Sequence, residues 1–291
     1  MFFKNAKIYK IAGKDIFNKD YLEDAFSKRA LQKCMQMEMQ SRGWVVPRDE
    51  NENFVHASGQ QLLIALGVEK KLLPASVINQ HAKTRIAEIE QLQGYKPGKK
   101  QVKDIKEAAM IELLPRAFVQ CHKTYAWIDG IKNRLIIDTA STNKADEFVE
   151  VLLKSVNDLV LEPIDTQISS VSAMTRWLSG DDLPSVFTID RDCELQSTSD
   201  EKETIRYTHH VLKAEETYRH IRKGKRVIKL AMTYDSKVSF VLQDNLQLRR
   251  ITPLGILKES TGTDEELFDS DFAIMTGEYS RLIDSLIDAL M

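Results

Sequence analysis

Cysteine, glycine and proline are scarce in this chain of 291 residues, and each shortage excludes a class of protein. The three cysteines are widely spaced and odd in number, which argues against a disulfide framework and against a zinc site made of cysteine pairs. Twelve glycines and seven prolines are too few for a collagen or a low-complexity chain. We therefore expect reduced thiols and ordinary packed domains.

Long apolar segments are also missing. The longest uncharged apolar stretch, residues 60–68, is much shorter than the roughly 20 residues that a membrane helix needs. Lysines interrupt the beginning of the sequence before the apolar region of a signal peptide could form. These features predict a cytoplasmic protein that makes no contact with a membrane.

The composition that remains is typical of a folded globular protein. Hydrophobic residues make up 43% of the sequence and charged residues 29%, which provides enough apolar material for a core. The length exceeds that of a common single domain, so we expect two or three domains.

The net charge of -2 conceals an uneven distribution of charge along the chain. Residues 70–106 contain nine lysines and arginines against three acids, and residues 201–250 contain twelve against six. Residues 251–291 have the opposite balance, with two bases and nine acids. Two basic regions indicate a polyanionic partner, although solvent-facing helix surfaces would give the same pattern.

The first basic region coincides with a predicted helical hairpin. Apolar residues recur at steps of three and four on both sides of a turn at residues 94–98, which predicts two helices over residues 75–114. The tip and the second arm of this hairpin carry five lysines: Lys96, Lys99, Lys100, Lys103 and Lys106. We therefore expect the hairpin to present a basic tip to solvent.

Other patterns in the first half predict a mixture of helices and antiparallel strands. A helical stretch is expected over residues 21–39. Two short strands within residues 124–138 form a predicted β-hairpin, and the helix that follows has Asn143 as a candidate N-cap.

The second half is predicted to contain a helix within residues 206–222 and a three-stranded antiparallel meander over residues 225–251. In the first strand of the meander, alternation predicts that Ile228 and Leu230 point inward and that Lys229 faces the other side, which leaves one face of the sheet free of the core. The last helix has one apolar stripe, over residues 279–290, which could dock on its own domain or on a second subunit.

These elements predict an α+β fold with an antiparallel β-sheet body and helical extensions. We divide the chain into three parts. They are a β-rich body of residues 1–74 and 115–160, a basic helical hairpin of residues 75–114, and a C-terminal α+β domain of residues 161–291.

Residue patterns that would indicate catalysis are weak. Residues 94–100 resemble a phosphate-binding loop, but the spacing between the glycines is one residue short and the Ser/Thr is missing. The side chains of the adjacent His209 and His210 diverge, which disfavours a metal pair and favours histidines at the surface or facing phosphate. Cys121 and His122 lack an orienting acid, and Cys121 is expected to be a buried thiol. We predict no catalytic residue, no metal site and no cofactor.

Nine short motifs, in order along the whole chain, resemble a known family. They lie at residues 3–5 (FKN), 43–47 (GWVVP), 73–78 (LPASVI), 113–118 (LLPRAF), 127–129 (WID), 138–141 (DTAS), 176–180 (RWLSG), 224–231 and 271–278. On these motifs the chain resembles the RdgC family of recombination-associated proteins.

This resemblance implies a non-enzymatic protein of the bacterial nucleoid that prefers double-stranded DNA. It also implies a ring-shaped homodimer, with duplex passing through a basic central hole, that limits the access of RecA recombinase to DNA. The helical hairpin and the terminal helix are candidates for the extensions through which the subunits touch.

Phosphate binding without sequence reading would use the two basic regions of the chain. The candidate DNA-binding residues are Lys96, Lys99, Lys100, Lys103, Arg116, Lys213, Arg219, Arg222, Lys223, Lys225 and Arg226. The resemblance assigns Phe118 to a subunit junction. Where the family often has a basic pair, this chain has His209 and His210, which we place with Phe118 at the dimer interface.

Two other kinds of function stay open at this point. A metal-dependent enzyme acting on nucleic acid would cleave strands only with added Mg²⁺ or Mn²⁺. A protein-interaction module would use the acidic C-terminal helix to bind a basic partner.

Overall fold

Two antiparallel β-sheets and seven α-helices make up the described part of the chain, residues 1–12, 18–48, 52–199, 201–210, 214–255 and 264–291 of a computed structural model. The helices are Lys19–Ser27 (α1), Ala75–Gln93 (α2), Lys99–Leu113 (α3), Thr142–Ser155 (α4), Ser170–Leu178 (α5), Ala214–Arg222 (α6) and Asp264–Asp288 (α7). A 3-10 turn, Leu114–Arg116, follows α3. None of these described helices has the length and hydropathy of a membrane-spanning segment.

The first sheet has seven strands. They are Lys7–Ala12 (β1), Gln40–Val45 (β2), Val55–Ser58 (β3), Gln61–Leu72 (β4), Phe118–Asp129 (β5), Arg134–Ile137 (β6) and Val160–Pro163 (β7). Their order is β2-β4-β5-β6-β1-β7, and β3 pairs with β4 beside β2.

The second sheet has five strands in the order β12-β11-β10-β8-β9. They are Phe187–Ser197 (β8), Thr204–Tyr207 (β9), Lys225–Tyr234 (β10), Val238–Gln243 (β11) and Leu248–Pro253 (β12). The pairings within both sheets are antiparallel, which confirms the predicted α+β class with antiparallel sheets.

Apolar side chains cover both faces of the first sheet, which explains the continuous apolar run in β4. Leu62 and Ile64 belong to a cluster with α1 and α4, whereas Leu63 belongs to a second cluster with α5, α7 and the second sheet. Alternate residues of a strand point to opposite faces, so each face needs its own cover.

Helix α7 lies between the two sheets, and its polar side chains contact both. Ser280 donates to Asp129 Oδ2 of β5 at 2.9 Å, and Arg134 of β6 donates to Asp284 Oδ1 at 2.6 Å. On the other side, Ser285 donates to the hydroxyl oxygen of Tyr234 in β10 at 3.5 Å. The apolar stripe over residues 279–290 is buried in this layer, so the helix docks on its own chain.

The two sheets are also joined directly through their backbones. The Ala6 N–H donates to the Leu248 carbonyl at 2.8 Å, and the Leu248 N–H donates to the Ala6 carbonyl at 3.0 Å. One apolar cluster therefore crosses the expected boundary between the β-rich body and the C-terminal domain. The division of the chain into three domains stays a prediction.

The predicted helical hairpin is present as α2 and α3, and it projects from the far end of the longest ribbon of the first sheet. Strands β4 and β5 pair from Gln61↔Asp129 to Leu72↔Phe118, and the hairpin connects their ends. Its own apolar cluster has only three fully buried side chains, Ala82, Ile105 and Ala109. This cluster is separate from the two larger clusters of the molecule.

The prediction of a helix over residues 21–39 is wrong beyond α1, which ends at Ser27. The chain instead runs beside β2, where Ala30 forms a bridge with Trp44 and the Leu31 N–H donates to the Trp44 carbonyl at 2.9 Å. A Cβ on Gly43 would lie 2.4 Å from Leu31 Cα, so this approach depends on glycine.

Two details of the predicted helices also differ. Ser141 rather than Asn143 caps α4, with its side chain accepting from the Lys144 N–H. The helix expected within residues 206–222 begins only at Ala214, because Thr204–Tyr207 pairs with β8 as β9.

The predicted meander is confirmed as β10, β11 and β12, but the inward residues at its start differ. The register shifts between Val227 and Lys229, so Val227 is fully buried while Ile228 is only partly buried. This β-bulge is the reason that simple alternation failed at Ile228.

Leu282 of α7 allows a test of how much the layer between the sheets contributes to stability. Leu282 is 1% exposed, and Leu282→Ala should lower the free energy of unfolding by about 2–5 kcal/mol because a cavity replaces buried methyl groups. Leu92→Ala on α2, where the side chain is 85% exposed, is the matched control and should change it by less than about 0.5 kcal/mol. Urea titration followed by circular dichroism measures both, and equal losses would contradict this assignment.

Candidate nucleic-acid interface

The tip of the helical hairpin carries lysines that the helix itself does not need. Gly94, at φ 77°, ends α2, and α3 begins with Lys99 and Lys100 in its first turn. Cations there oppose the helix dipole, whose positive end is at the N-terminus. Helix stability would favour acids at these positions, so it does not explain these two lysines.

The same lysines are exposed and mostly unpaired. Within the described part of the chain, Lys96, Lys99 and Lys100 have no carboxylate partner. Lys103 forms a loose pair with Glu107 at 3.7 Å across one helical turn, between exposed side chains that contribute little to stability. The hairpin tip is therefore a site of available positive charge.

Arg116 and Phe118 lie where the hairpin returns to the sheet. Arg116 ends the 3-10 turn and is exposed, and Phe118, the first residue of β5, is 84% exposed. Leu72, its cross-strand partner, and the neighbouring Val119 are also exposed. An apolar patch of Leu72 and Phe118 thus stands next to the basic hairpin, and Val119 points to the opposite face of the strand.

Helix α6 brings together part of the second basic region. Arg219, Arg222 and Lys223 are exposed at its C-terminal end, where positive charge complements the helix dipole. The Arg222 guanidinium lies 4.5 Å from the centre of the Tyr218 ring. Lys213, the remaining candidate before this helix, lies outside the described residues.

Lys225 and Arg226 are neighbours in β10 with different surroundings. Lys225 is buried, and its ammonium group lies 2.6 Å from Glu203 Oε2. Arg226 is exposed on the opposite side of the strand. Lys225 thus has an internal role that accounts for its charge, whereas Arg226 does not.

His209 and His210 are both exposed in the segment after β9. His209 has φ 52°, and its backbone N–H donates to Asp192 Oδ1 at 2.8 Å. The His210 ring lies 5.6 Å from that of Tyr207. Their place at a dimer interface stays a prediction.

The outer face of the second sheet holds a basic groove that the candidate residues did not include. This groove has a volume of about 500 Å³, and Asn5 and Ala140 are among the residues that line it. Its basic lining residues are Arg206, Lys229, Arg249 and Arg250. The sequence predicted a face free of the core with Lys229 on it, but no pattern within one segment could have added the arginines, because Arg249 and Arg250 are adjacent and the bulge in the last strand brings both to the groove.

Two carboxylates form the acidic part of the groove. Glu194 Oε2 lies 2.9 Å from Arg206 Nη2 and 3.0 Å from Lys229 Nζ, and Asp192 Oδ2 lies 3.2 Å from Arg250 Nη2. Burial would raise the pKa of Glu194, but the hydrogen bonds from Lys229 and Arg206 outweigh it and lower the pKa. The His209 N–H and then Arg250 lower the pKa of Asp192. Both groups are therefore charged at neutral pH.

Asp190, Asp192 and Glu194 alternate along β8, a pattern that the sequence prediction of no metal site overlooked. Asp190 Oδ2 accepts a hydrogen bond from the Thr233 hydroxyl at 2.9 Å. Among the described residues, no group of three His, Cys, Asp or Glu side chains is arranged to hold a metal ion.

The prediction that Cys121 is buried is wrong. Cys121 is exposed in the half of β5 that extends toward the hairpin, and its thiol lies 3.8 Å from Glu69 Oε1. Cys193 in β8 is the buried thiol, and burial raises its pKa to about 12.

Comparison with known proteins gives a consistent result over the whole chain. The family model described as "Putative exonuclease, RdgC" matches residues 1–291. The "Recombination-associated protein RdgC" of Herminiimonas arsenicoxydans is 46% identical over 294 residues, covering 100% of this chain and 98% of the relative. The proteins of that name from Janthinobacterium sp. (strain Marseille) and Bordetella pertussis are 46% and 44% identical, with the same coverage.

The three thiols should react at different rates with iodoacetamide. Cys121 should be alkylated in the native protein, whereas Cys193 should react only after unfolding, because it is buried and a thiol with a pKa of about 12 forms almost no thiolate at neutral pH. Mass spectrometry of tryptic peptides measures this, with urea-unfolded protein as the control in which all three react. Rapid native labelling of Cys193 would contradict the packing of β8.

Proposed function

This chain belongs to the RdgC family, and on that premise we propose that it is a recombination-associated protein that binds double-stranded DNA through its phosphates. It would do so without catalysis, metal or cofactor, as a ring-shaped homodimer that encircles duplex in the cytoplasm, at the nucleoid. By occupying the duplex, it would limit the access of RecA.

One observation carries the DNA-binding part of this proposal. Lys96, Lys99 and Lys100 are exposed and have no carboxylate partner among the described residues, and Lys99 and Lys100 stand at a helix N-terminus where their charge is unfavourable. Side chains that cost stability and have no internal partner are available to an external anion. Double-stranded DNA, with one negative charge per roughly 1.7 Å of helix axis, is such an anion.

The other candidates contribute in different degrees. Arg116, Arg219, Arg222, Lys223 and Arg226 are exposed and extend the basic surface, as Lys103 does. We leave Lys225 out of the proposed contacts because its side chain is only 10% exposed and is paired with Glu203. Phosphate contacts carry no base information, so the protein would bind most duplex sequences similarly.

The patch of Leu72 and Phe118 supports the dimer part of the proposal. Phe118 is 84% exposed beside an exposed leucine, so covering it with a second subunit would be favourable because apolar surface leaves water. His209 and His210 would lie at the same or a second contact between subunits. Binding of a partner protein through the acidic helix α7 is a weaker candidate function, because the apolar stripe of α7 is already buried.

The family description names an exonuclease, and the alternating acids of β8 are the feature that would favour one. Asp192 and Glu194 already interact with cations, however, which suits a binding surface better than a metal site. Degradation of linear duplex by purified protein with Mg²⁺ or Mn²⁺, lost on addition of a chelator, would favour the nuclease.

Salt dependence tests the proposed phosphate contacts. If the ring contacts 6–10 phosphates, affinity for duplex should fall by about 10³ to 10⁵ between 50 and 200 mM salt. Replacing Lys96, Lys99 and Lys100 by glutamine should flatten the slope of log K against log salt by about 2.7 per subunit bound. Fluorescence anisotropy with labelled duplex measures both quantities.

A matched control for these lysines is a triple glutamine variant at Lys10, Lys28 and Lys154. These lysines pair with Glu162, Asp24 and Glu150 at 3.9, 2.5 and 2.5 Å. The control changes the net charge equally and should leave the slope nearly unchanged. An affinity of the unmodified protein that does not depend on salt would rule out the proposed contacts.

Phe118→Ser tests the proposed subunit junction. Losing this exposed apolar side chain should weaken the dimer at least tenfold, because burial of a phenylalanine contributes about 1.5–3 kcal/mol. Analytical ultracentrifugation measures the dissociation constant of the dimer. In gel shifts, the unmodified protein should retain closed circular duplex better than linear duplex. Leu153→Ser on α4, also an exposed apolar residue, is the control. An unmodified protein that stays monomeric at micromolar concentration would overturn the ring.

A further inference from the structure

The groove on the outer face of the second sheet is built from irregular strands. In β8, residues 190–192 stand opposite the single residue Ala231 of β10, between the pairs Leu230↔Cys193 and Met232↔Ile189. In β12, residues 250–251 stand opposite one residue of β11. Such bulges redirect side chains and are common beside functional sites.

The bulge in β12 fixes the direction of Arg250. Arg250 has φ 50°, a left-handed conformation that is unfavourable for a residue with a side chain. His209, which donates its N–H to Asp192, is also left-handed at φ 52°. Two residues in left-handed conformations thus contact the Asp192 carboxylate. The surrounding sheet holds both residues in these conformations.

The acids and bases of the groove differ in depth. The side chains of Glu194 and Asp192 are only 11% and 18% exposed, whereas those of Arg206 and Arg250 are 66% and 67% exposed. The carboxylates are therefore fixed at the floor of the groove. The guanidinium groups above them can turn to another anion without unfolding anything.

The groove also has more positive than negative charge. Four bases, Arg206, Lys229, Arg249 and Arg250, face two acids. Arg249 donates to the Ala140 carbonyl at 2.6 Å, and its buried Nε has no acceptor among the described residues. The groove thus keeps a net positive charge even while every carboxylate is paired.

We propose that this groove binds the phosphodiester backbone of duplex DNA, and that Glu194 and Asp192 hold its cations in place until phosphates replace them. This proposal rests on the proposed DNA-binding function and adds a second contact region. Carboxylate and phosphate oxygens accept the same charge-assisted hydrogen bonds from arginine and lysine. The guanidinium groups of Arg206 and Arg250 can make this exchange because they are about two-thirds exposed to solvent.

The exchange has a consequence for affinity. An arginine or lysine that must leave a carboxylate contributes less binding free energy than an unpaired one. Glu194 and Asp192 therefore lower the affinity of the groove for DNA. The same carboxylates keep the cations ordered, which lowers the entropy cost of binding. Removing a carboxylate should therefore strengthen binding, the opposite of what a structural ion pair would show.

Glu194→Gln is the decisive variant, since it keeps the shape and removes the charge. We expect its affinity for a duplex to rise by about three- to tenfold at 100 mM salt, with a steeper slope of log K against log salt, because Arg206 and Lys229 become free. Glu150→Gln on α4 gives the same change of net charge at an exposed pair with Lys154 and should leave affinity unchanged. Thermal melting of both variants checks folding.

A double variant, Arg206→Gln with Arg250→Gln, tests the cations themselves. It should bind duplex at least tenfold more weakly. It should also lower the slope of log K against log salt by about 1.8 per subunit bound. If Glu194→Gln fails to fold, this variant decides, because both arginines are about two-thirds exposed. If the folded variants keep the affinity of the unmodified protein, and that protein binds duplex in a salt-dependent way, the groove proposal is overturned and the proposed function is not. No duplex binding by the unmodified protein overturns the proposed function.

Discussion

The burial of α7 between two β-sheets is the interaction on which the rest of the structure depends. The helix supplies the cover for one face of each sheet, and its hydrogen bonds reach β5, β6 and β10. Tyr279 donates its hydroxyl to the Phe3 carbonyl at 3.0 Å, so the helix also fixes the segment before β1. With the inner faces occupied in this way, the outer face of the second sheet and the far end of the β4–β5 ribbon are left for binding.

The charges of the molecule fall into two groups with different physical behaviour. Lys96, Lys99 and Lys100 at the hairpin tip have no carboxylate partners among the described residues, and the helix dipole of α3 opposes the charge of the last two. The cations of the groove have partners, and those partners sit on bulged strands that hold them in register. The first group favours capture of a polyanion over long distances, and the second favours an ordered contact at short range.

Much of the fold could be predicted from the sequence because its patterns are local. The hairpin of α2 and α3, the meander and the apolar stripe of α7 all follow from periodicity within one segment. The errors have nonlocal causes. Residues after Ser27 lie beside β2 because Gly43 allows the approach, and Ile228 leaves the core because β10 is bulged against β8. The hairpin lysines could be found because they are neighbours in the sequence. Arg206, Lys229 and Arg250 could not be grouped, because only the pairing of separate strands brings them together.

The position of α7 in the chain has a consequence for how the protein is made. It follows all twelve strands, so both sheets leave the ribosome before the element that shields their inner faces has been synthesised. Leu63, Trp127 and Ile136 of the early sheet share their cluster with residues as late as Leu290. Nascent chains therefore expose a wide apolar surface until α7 has been synthesised, and chaperones would protect that surface during this interval.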